Sequence, residues 1–451
     1  MSKYDRFTAI IDEKKQELDA CSDYLFDHPE LGYQEFLSAA YLKDFLRREG
    51  FTVKEDLAGI KTAFSGSFGS GRPVVGLLGE FDALSGLSQE AGCSEQKPIP
   101  GQQDGHGCGH NLLGTGTLAT ALAVKRYLEE TGASGTVIYF GCPAEEGGSG
   151  KTFMAADGIF DGLDFAVAWH PDASTHINNR RLLANRKYCF RFDGKASHAS
   201  GAPAEGRSAL DAVELMNVGV QFLREHMPSS ARIHYAITDA GGISPNVVQP
   251  HAEVEYMIRG VDNASVAALS KRVIRIAEGA AMMTETSVET EFQKACSNTV
   301  CNQTLQRFMY DILAAATLPE PTEADRQFVR ELLMKDKGPG DPVWDDPIRT
   351  TVNPYSALKT APASSDVGDV SWICPTVRFA FAVWGRGTEA HDWLTVAQGK
   401  TPWAHEMMRC GAGIMAEAVI AAMGQPELIA AAWEEHKENI GAGYESPLKD
   451  R

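Results

Sequence analysis

The sequence lacks the features that nucleic-acid-binding and membrane proteins carry. Its 42 Lys and Arg are outnumbered by 60 Asp and Glu, giving a formal net charge of −18, whereas a nucleic-acid or anionic-membrane partner requires a basic face. No uninterrupted run of about eighteen apolar residues occurs anywhere, and the N-terminal stretch contains no apolar run of signal-peptide length. We therefore expect no nucleic-acid partner, no membrane partner and a cytoplasmic location.

A disulfide framework is also missing. The nine cysteines are an odd number dispersed along the chain, and no CxxC pair occurs. Such spacing is typical of thiols, most of them buried as small apolar side chains, and argues against a redox thiol protein. A chain of 451 residues exceeds the usual size of one hydrophobic core. We therefore expect two domains.

Short apolar runs at 72–81, 135–142 and 164–170 alternate with helical patterns, the first at about 8–27. This alternation predicts an α/β fold with a mostly parallel sheet flanked by helices. Between 187 and 294 the pattern changes to βαββαβ, the order of a ferredoxin-like unit. We expect a catalytic domain formed by 1–185 and 296–451, with an inserted domain at 186–295.

Two loops after predicted strands carry metal-ligand chemistry. DGHGCGHN places Cys108 and His110 two residues apart in a glycine-rich loop, where both can face one ion, although an incidental turn is the alternative. PAEEGGSG places Glu145 beside Glu146; adjacent carboxylates repel unless a cation holds one of them, so Glu146 is a candidate ligand and Glu145 a candidate general base. A solvated acidic turn is the other interpretation.

Further candidates follow other strands. His170 ends the strand in WHPD, and in GEFDALSG Glu80 and Asp82 end another, where Asp82 can accept a hydrogen bond from a ligand imidazole. Near the C-terminus, either His391 or His405 can complete the ligand set. Each position alone is more typical of an ordinary turn or a structural histidine, but strand-end ligands at three successive strands together predict a metal site.

The ordered motifs GEFDAL, GHGCGHN, PAEEGGSGK, WHPD, GKASHASGAPAEGRSAL and SSDVGDVSW resemble those of the M20 metallopeptidase family, specifically its amidohydrolase branch. The resemblance runs from about residue 28 to 420. It implies a general base at Glu145 and two divalent metal ions, Mn or Zn, with these ligands: Cys108, His110, Glu146, His170 and His391. Glu80 stands where the family usually has the histidine of an HxD element. The resemblance favours His391 over His405.

For the inserted domain, the resemblance implies a lid that also forms a homodimer. His198 in GKASHAS matches a histidine that reaches the partner subunit's active site and polarises the scissile carbonyl. Asn246 and Arg259 match positions that hold the substrate carboxylate. Without the resemblance, each of these three side chains is equally well explained by a turn or a surface ion pair. Arg259 does meet a chemical need, because an anionic substrate of an acidic protein requires a local guanidinium.

The sequence therefore predicts an enzyme that hydrolyses the amide bond of an N-acyl or N-aroyl amino acid, such as p-aminobenzoyl-glutamate or a similar acyl-Glu or acyl-Asp conjugate. An aminopeptidase or dipeptidase of the same fold is one alternative. A non-catalytic partner subunit of an amidohydrolase complex is another, and a companion subunit is itself a possible partner of the active enzyme.

Overall fold

The computed structural model describes residues 3–449. The chain forms two compact units. The first comprises the residues up to Arg180, then Val300–Lys359 and Val370–Tyr444; the second comprises Arg181–Thr299, Thr360–Asp369 and the residues from Glu445 onward.

The first unit contains most of the helices and a seven-stranded sheet. Its elements before the second unit are α1 (Lys3–Glu13), α2 (Lys15–Asp27), α3 (Phe36–Arg48), β1 (Thr52–Glu55), β2 (Phe64–Ser70), β3 (Val74–Glu80), α4 (His110–Thr131), β4 (Gly135–Cys142), α5 (Gly150–Ala156), β5 (Phe165–Asp172) and β6 (His176–Ile177). The chain continues with β7 (Arg180–Leu182), β8 (Ala184–Asp193), α6 (Ala209–Arg224), β9 (Arg232–Asp239), β10 (His251–Gly260), α7 (Asn263–Thr284) and β11 (Ser287–Cys296). It ends with α8 (Gln303–Ala315), α9 (Glu323–Leu333), β12 (Lys359–Ala361), α10 (Val367–Ile373), β13 (Thr376–Ala382), α11 (Trp393–Gln398), α12 (Pro402–Met423) and α13 (Pro426–Ile440).

The central sheet has the strand order β1-β2-β4-β3-β5-β13-β6. Its four inner strands, β4, β3, β5 and β13, run parallel, and the flanking strands are antiparallel. β3 is buried along nearly its whole length, as expected where helices cover both faces of a parallel sheet. The carboxyl ends of β4, β3 and β5 therefore lie along one edge, where an α/β sheet holds its functional groups.

Helix α4 is the central helix of this unit, with sixteen of its 22 residues buried. It approaches the sheet closely at two glycines: a Cβ at Gly114 would lie 2.8 Å from Glu80 O, and one at Gly116 would lie 2.7 Å from Trp169 Cζ2. The helix ends where Gly132 takes a left-handed conformation with φ 64°, which is a common helix stop. These contacts fix the first turn of α4 directly beside the end of β3.

The second unit is a four-stranded antiparallel sheet with the order β11-β8-β10-β9, covered by α6 and α7. The sequential order βαββαβ is that of a ferredoxin-like fold. β10 alternates strictly between buried and half-buried side chains, so only one face of the sheet packs on the helices. The α/β prediction, with its mostly parallel sheet and its βαββαβ unit, is confirmed.

One expected helix differs from the structure. The pattern at about 8–27 predicts a single helix, but α1 ends at Glu13 and α2 begins at Lys15. Among residues 3–449, no single helix has the length and apolarity needed to cross a bilayer; α12 and α13 satisfy that test only together, and they are bent by 93°. Most of α12 is buried in the core of the first unit.

Candidate metal centre

The strand-end side chains of the first unit converge on the amino terminus of α4. Glu80 ends β3, Glu145 and Glu146 follow β4, His170 lies near the end of β5, and His110 begins α4. The parallel order β4-β3-β5 places all three strand ends along the same edge. Residues distant in sequence thus form one cluster.

Cys108, His110 and His170 form the first set of possible ligands, with one donor atom from each lying within 4.8 Å of the others. The Cys108 Sγ lies 3.2 Å from the His170 Nε2. The His110 Nε2 is buried and makes no hydrogen bond with the residues that the structure describes. A thiolate and two imidazoles are donors that transition-metal ions such as zinc prefer.

Cys108, Glu146 and His391 form a second set under the same distance limit. The His391 Nε2 lies 3.3 Å from the Glu146 Oε2, and the His391 N–H donates to the Gly107 carbonyl at 2.8 Å, which attaches this loop to the Cys108 loop. Cys108 belongs to both sets. A sulfur shared by two sets of three ligands is the arrangement expected of a thiolate that bridges two ions.

Glu80 lies beside these sets and is held by a buried lysine. It forms a third group of possible ligands with His110 and Glu145, and its Oε2 lies 3.4 Å from the His110 Nε2. Its other oxygen, Oε1, is 2.7 Å from the Nζ of Lys151, a fully buried residue of α5. The pKa of Glu80 is raised by burial, but the charges of Lys151 and His110 outweigh this effect and lower it.

Asp82 orients two members of the cluster. Its Oδ1 lies 3.0 Å from the His110 Nδ1, and its Oδ2 accepts a hydrogen bond of 3.0 Å from the Glu146 backbone N–H. When Nδ1 carries the proton, the His110 Nε2 presents its lone pair to an ion, and such a carboxylate also makes the imidazole more basic. One buried carboxylate thus positions a side chain of each ligand set.

Backbone strain is concentrated at these loops. Ala144, Ser149 and His391 adopt positive φ angles of 57°, 59° and 66°, a conformation that costs residues other than glycine about 1–3 kcal/mol. The strained turn at Ala144 is supported by Glu35, whose buried side chain accepts a hydrogen bond of 2.8 Å from the Ala144 N–H. The hydroxyl of Tyr33 also donates to the Gly148 carbonyl at 2.7 Å.

The pKa values reflect a crowded negative site. Burial raises the pKa of the Cys108 thiol well above its usual value, and Glu146 raises it further. Burial lowers the pKa of His110, but its hydrogen bonds with Asp82 and Cys108 raise it well above the usual value. Burial also raises the pKa of Glu146, yet the hydrogen bond from His391 and the charge of His110 lower it to about 2. The cluster therefore attracts positive charge.

The remaining predicted residues have different surroundings. His405 lies on α12, where its Nε2 is 3.1 Å from Asp23 Oδ1, and it enters none of the possible ligand sets among residues 3–449. The second unit contains the other three predicted residues. His198 and Asn246 lie on neighbouring loops, joined by a hydrogen bond from the Ala199 N–H to the Asn246 carbonyl, whereas Arg259 lies on β10 and donates to the Ser364 hydroxyl at 2.7 Å.

Sequence reasoning missed Lys151 and Glu35. Lys151 closes the motif PAEEGGSGK, so its place next to the acidic loop was visible, but nothing in the sequence marks it as buried. Glu35 lies about 110 residues before the loop that it supports, and no local pattern connects the two.

Comparison with known proteins agrees with this geometry. Residues 76–325 match the profile of peptidase family M20/M25/M40. The chain is 44% identical to one of the p-aminobenzoyl-glutamate hydrolase subunits of Escherichia coli over 449 residues, covering 95% of this chain and 93% of that protein. The chain belongs to peptidase family M20. The resemblance found in the sequence is thus confirmed.

Two further relatives extend the comparison. Mouse Xaa-Arg dipeptidase is 27% identical over 84% of this chain and 79% of its own length. A dinuclear metal-binding M20 peptidase from Bacillus subtilis has the same fold, with a TM-score of 0.58 and 16% identity, and the match covers 92% of this chain and 99% of that one. The family thus includes members whose names indicate amide hydrolysis on different substrates.

Proposed function

We propose that this chain hydrolyses the amide bond of N-acyl or N-aroyl amino acids with an acidic side chain, with p-aminobenzoyl-glutamate as the leading substrate. Two ligand sets that share Cys108, with Glu145 beside them, are the observation that carries the proposal. The family match and the 44% identical hydrolase relative confirm the prediction of an M20 amidohydrolase. The particular acyl group and amino acid belong to the proposal.

The site residues fit a pair of divalent ions. The donor set combines a thiolate, imidazoles and a carboxylate, and the orphaned Nε2 of His110 faces this cluster. Cys108, His110 and His170 would hold one ion, and Cys108, Glu146 and His391 the other. Bound ions would supply Lewis acidity and make a water molecule more acidic. Thiolate and imidazole favour zinc by their softness, whereas the resemblance favours manganese.

Glu145 is the proposed proton carrier. It lies in the turn next to the ligand Glu146 and belongs to a cluster with Glu80 and His110. As general base it would accept a proton from the attacking water, and it would then deliver that proton to the leaving amide nitrogen. This role requires only that Glu145 remain near both positions, which the strained loop between Ala144 and Ser149 would ensure.

His198 is the proposed polarising group for the scissile carbonyl. Its Nδ1 accepts hydrogen bonds from the backbone N–H groups of Ser200 and Gly201, at 3.3 and 3.0 Å. The proton of the neutral ring is therefore on Nε2, and the side chain is exposed, so the ring can donate a hydrogen bond to an oxyanion. Asn246 and Arg259 are the proposed groups for a substrate carboxylate.

A substrate panel tests the function. Protein stripped of metal and then reloaded with manganese or with zinc is assayed on p-aminobenzoyl-glutamate, on other acyl-Glu and acyl-Asp conjugates, and on free dipeptides. We expect metal-dependent release of the amino acid from the acyl conjugates only. Turnover of dipeptides alone would favour a dipeptidase, the activity named in the mouse relative. Turnover of nothing without an added companion chain would favour a partner subunit.

We further propose that the second unit acts as a lid and forms a homodimer. The edge strand β9 exposes Tyr235 and Ile237, and α6 exposes Leu215, Val218 and Phe222 on one face, Phe222 by 70%. A second copy of the chain would cover these apolar side chains. Light scattering checks this: Phe222→Glu should shift the mass from dimer to monomer, and a wild-type monomer at micromolar concentration would contradict it. A cytoplasmic location remains a prediction that cell fractionation tests.

A further inference from the structure

A basic side chain lies on the central sheet beside the metal centre. Arg378 is in β13, two residues before Ala380, whose register partners are His170 on β5 and His176 on β6. Residues opposite each other in a sheet point to the same face, as do residues two apart in one strand. Arg378 therefore projects from the face that carries the ligand His170.

The guanidinium of Arg378 is only partly used by the protein. Its Nη2 donates to the Arg180 carbonyl at 2.7 Å, and within residues 3–449 no carboxylate lies at ion-pair distance. The side chain is only partly exposed. Arginines with little exposure are normally paired with an acid, because a guanidinium has five N–H donors to satisfy. In a chain of net charge −18, such a free cation is unexpected.

Two further polar groups share this face. The Asn178 N–H donates to the Arg378 carbonyl at 2.8 Å, which continues the β6–β13 ladder and places the two side chains opposite each other. The Asn178 Oδ1 is buried and has no hydrogen-bond partner among the described residues. His176 follows two positions earlier on the same face. The neighbours in β5 and β13, Ala168 and Ala380, have only methyl side chains.

The electrostatics of this face favour an anion. Burial lowers the pKa of His176, Asp172 raises it, and the positive charges of Arg180 and Arg378 lower it further. Burial lowers the pKa of Arg378 itself, while Glu80 and Glu145 of the catalytic cluster raise it. Arg378 is thus within electrostatic reach of the proposed general base.

We propose that Arg378, flanked by His176 and Asn178, binds the side-chain carboxylate of the acyl-amino-acid substrate. This inference rests on the proposed function, in which Arg259 and Asn246 hold one carboxylate; an acyl-glutamate or acyl-aspartate carries a second. A guanidinium with free N–H groups matches the two oxygens of a carboxylate, and an adjacent amide can add a further hydrogen bond. The site would explain a preference for acidic amino acids over neutral ones.

The test compares substrates that differ by one charge. The value of kcat/KM is measured for p-aminobenzoyl-glutamate, for its side-chain amide p-aminobenzoyl-glutamine, and for the α-amide of p-aminobenzoyl-glutamate. Arg378→Gln should lower kcat/KM for the glutamate substrate about 10- to 100-fold, the value of a charge-assisted hydrogen bond. The glutamine substrate should be nearly unaffected. Arg378→Lys should recover part of the loss, and Arg326→Gln, which removes an arginine paired with Glu320 on α9, should change neither value.

Three results would overturn the inference. Equal losses on the glutamate and glutamine substrates would assign Arg378 a structural role, and unchanged kinetics would deny it any role. A loss that spares only the α-amide would assign Arg378 to the α-carboxylate. If the wild type hydrolyses none of the three, the proposed function fails, and titration with glutarate decides the carboxylate site separately: Arg378→Gln should weaken glutarate binding about tenfold or more, and unchanged binding would contradict the inference.

Discussion

Replacing Cys108 with alanine should remove both metal ions, because its sulfur belongs to both ligand sets. Loss of a partner that merely orients a ligand already lowers metal affinity about 10- to 100-fold. Loss of a ligand atom from each set of three should therefore lower both affinities by at least about 100-fold, or about 2.7 kcal/mol for each ion. By contrast, His391→Ala affects one set only and should leave one ion bound.

Metal content after equilibrium dialysis, measured by elemental analysis, checks this prediction without any activity assay. We expect about two ions per chain for the wild type, one for His391→Ala and none for Cys108→Ala at the same free metal concentration. Cys374→Ala is the matched control, since Cys374 is another buried thiol of the first unit and contacts Thr376 instead of the cluster. A Cys108→Ala protein that is folded and still holds two ions with wild-type affinity would refute the bridging role.

Three other predictions concern residues around the ions. Glu145→Gln should retain both ions while kcat falls about 10²- to 10⁴-fold, and near-normal turnover would remove Glu145 from proton transfer. Asp82→Ala should weaken the ion held by His110 about 10- to 100-fold, as titration calorimetry would detect; an unchanged affinity would show that His110 needs no such support. Burial, and then the charge of Asp82, raise the pKa of Glu35 to about 7. A raised carboxyl pKa makes this group's contribution to stability greatest below the unfolded pKa, and that contribution is lost as pH rises through the folded value. Glu35→Gln should therefore raise the melting temperature relative to the wild type at pH 8 and leave it similar at pH 4.5, with a difference of about 3 kcal/mol between the two conditions. A melting-temperature difference that is the same at both pH values would contradict this reasoning.

The sequence was most informative where strands are buried on both faces. β3, β4 and β5 are nearly continuous apolar runs and were predicted, and with them the strand-end ligands. β2, with the sequence FSGSFGS, has no such run and was missed. β13 does have one, TVRFAFA, and its omission concealed Arg378.

Two helices after residue 300 were also not predicted, although one had a visible signal. α9 follows an acidic segment that resembles a surface loop, yet Thr322 and Asp325 form a capping box, and Val329, Leu332 and Leu333 bury one face of the helix. A capping box before spaced apolar residues is a helix start. Burial of a single Lys or Glu has no comparable signature, because it depends on partners from other elements.

Charge balance connects the unusual Glu80 with the demand for two ions. The centre contains four carboxylates, those of Glu80, Asp82, Glu145 and Glu146, beside the Cys108 sulfur. Burying unpaired charges of one sign costs several kcal/mol for each ion, so the cluster requires cations. Lys151 neutralises Glu80 at 2.7 Å, which leaves three carboxylates and one thiolate, or four negative charges. Two divalent ions supply four positive charges, whereas a single ion would leave two negative charges unbalanced. Exchanging the family's usual histidine for Glu80 therefore keeps the charge of the centre suited to two ions only because Lys151 is buried beside it.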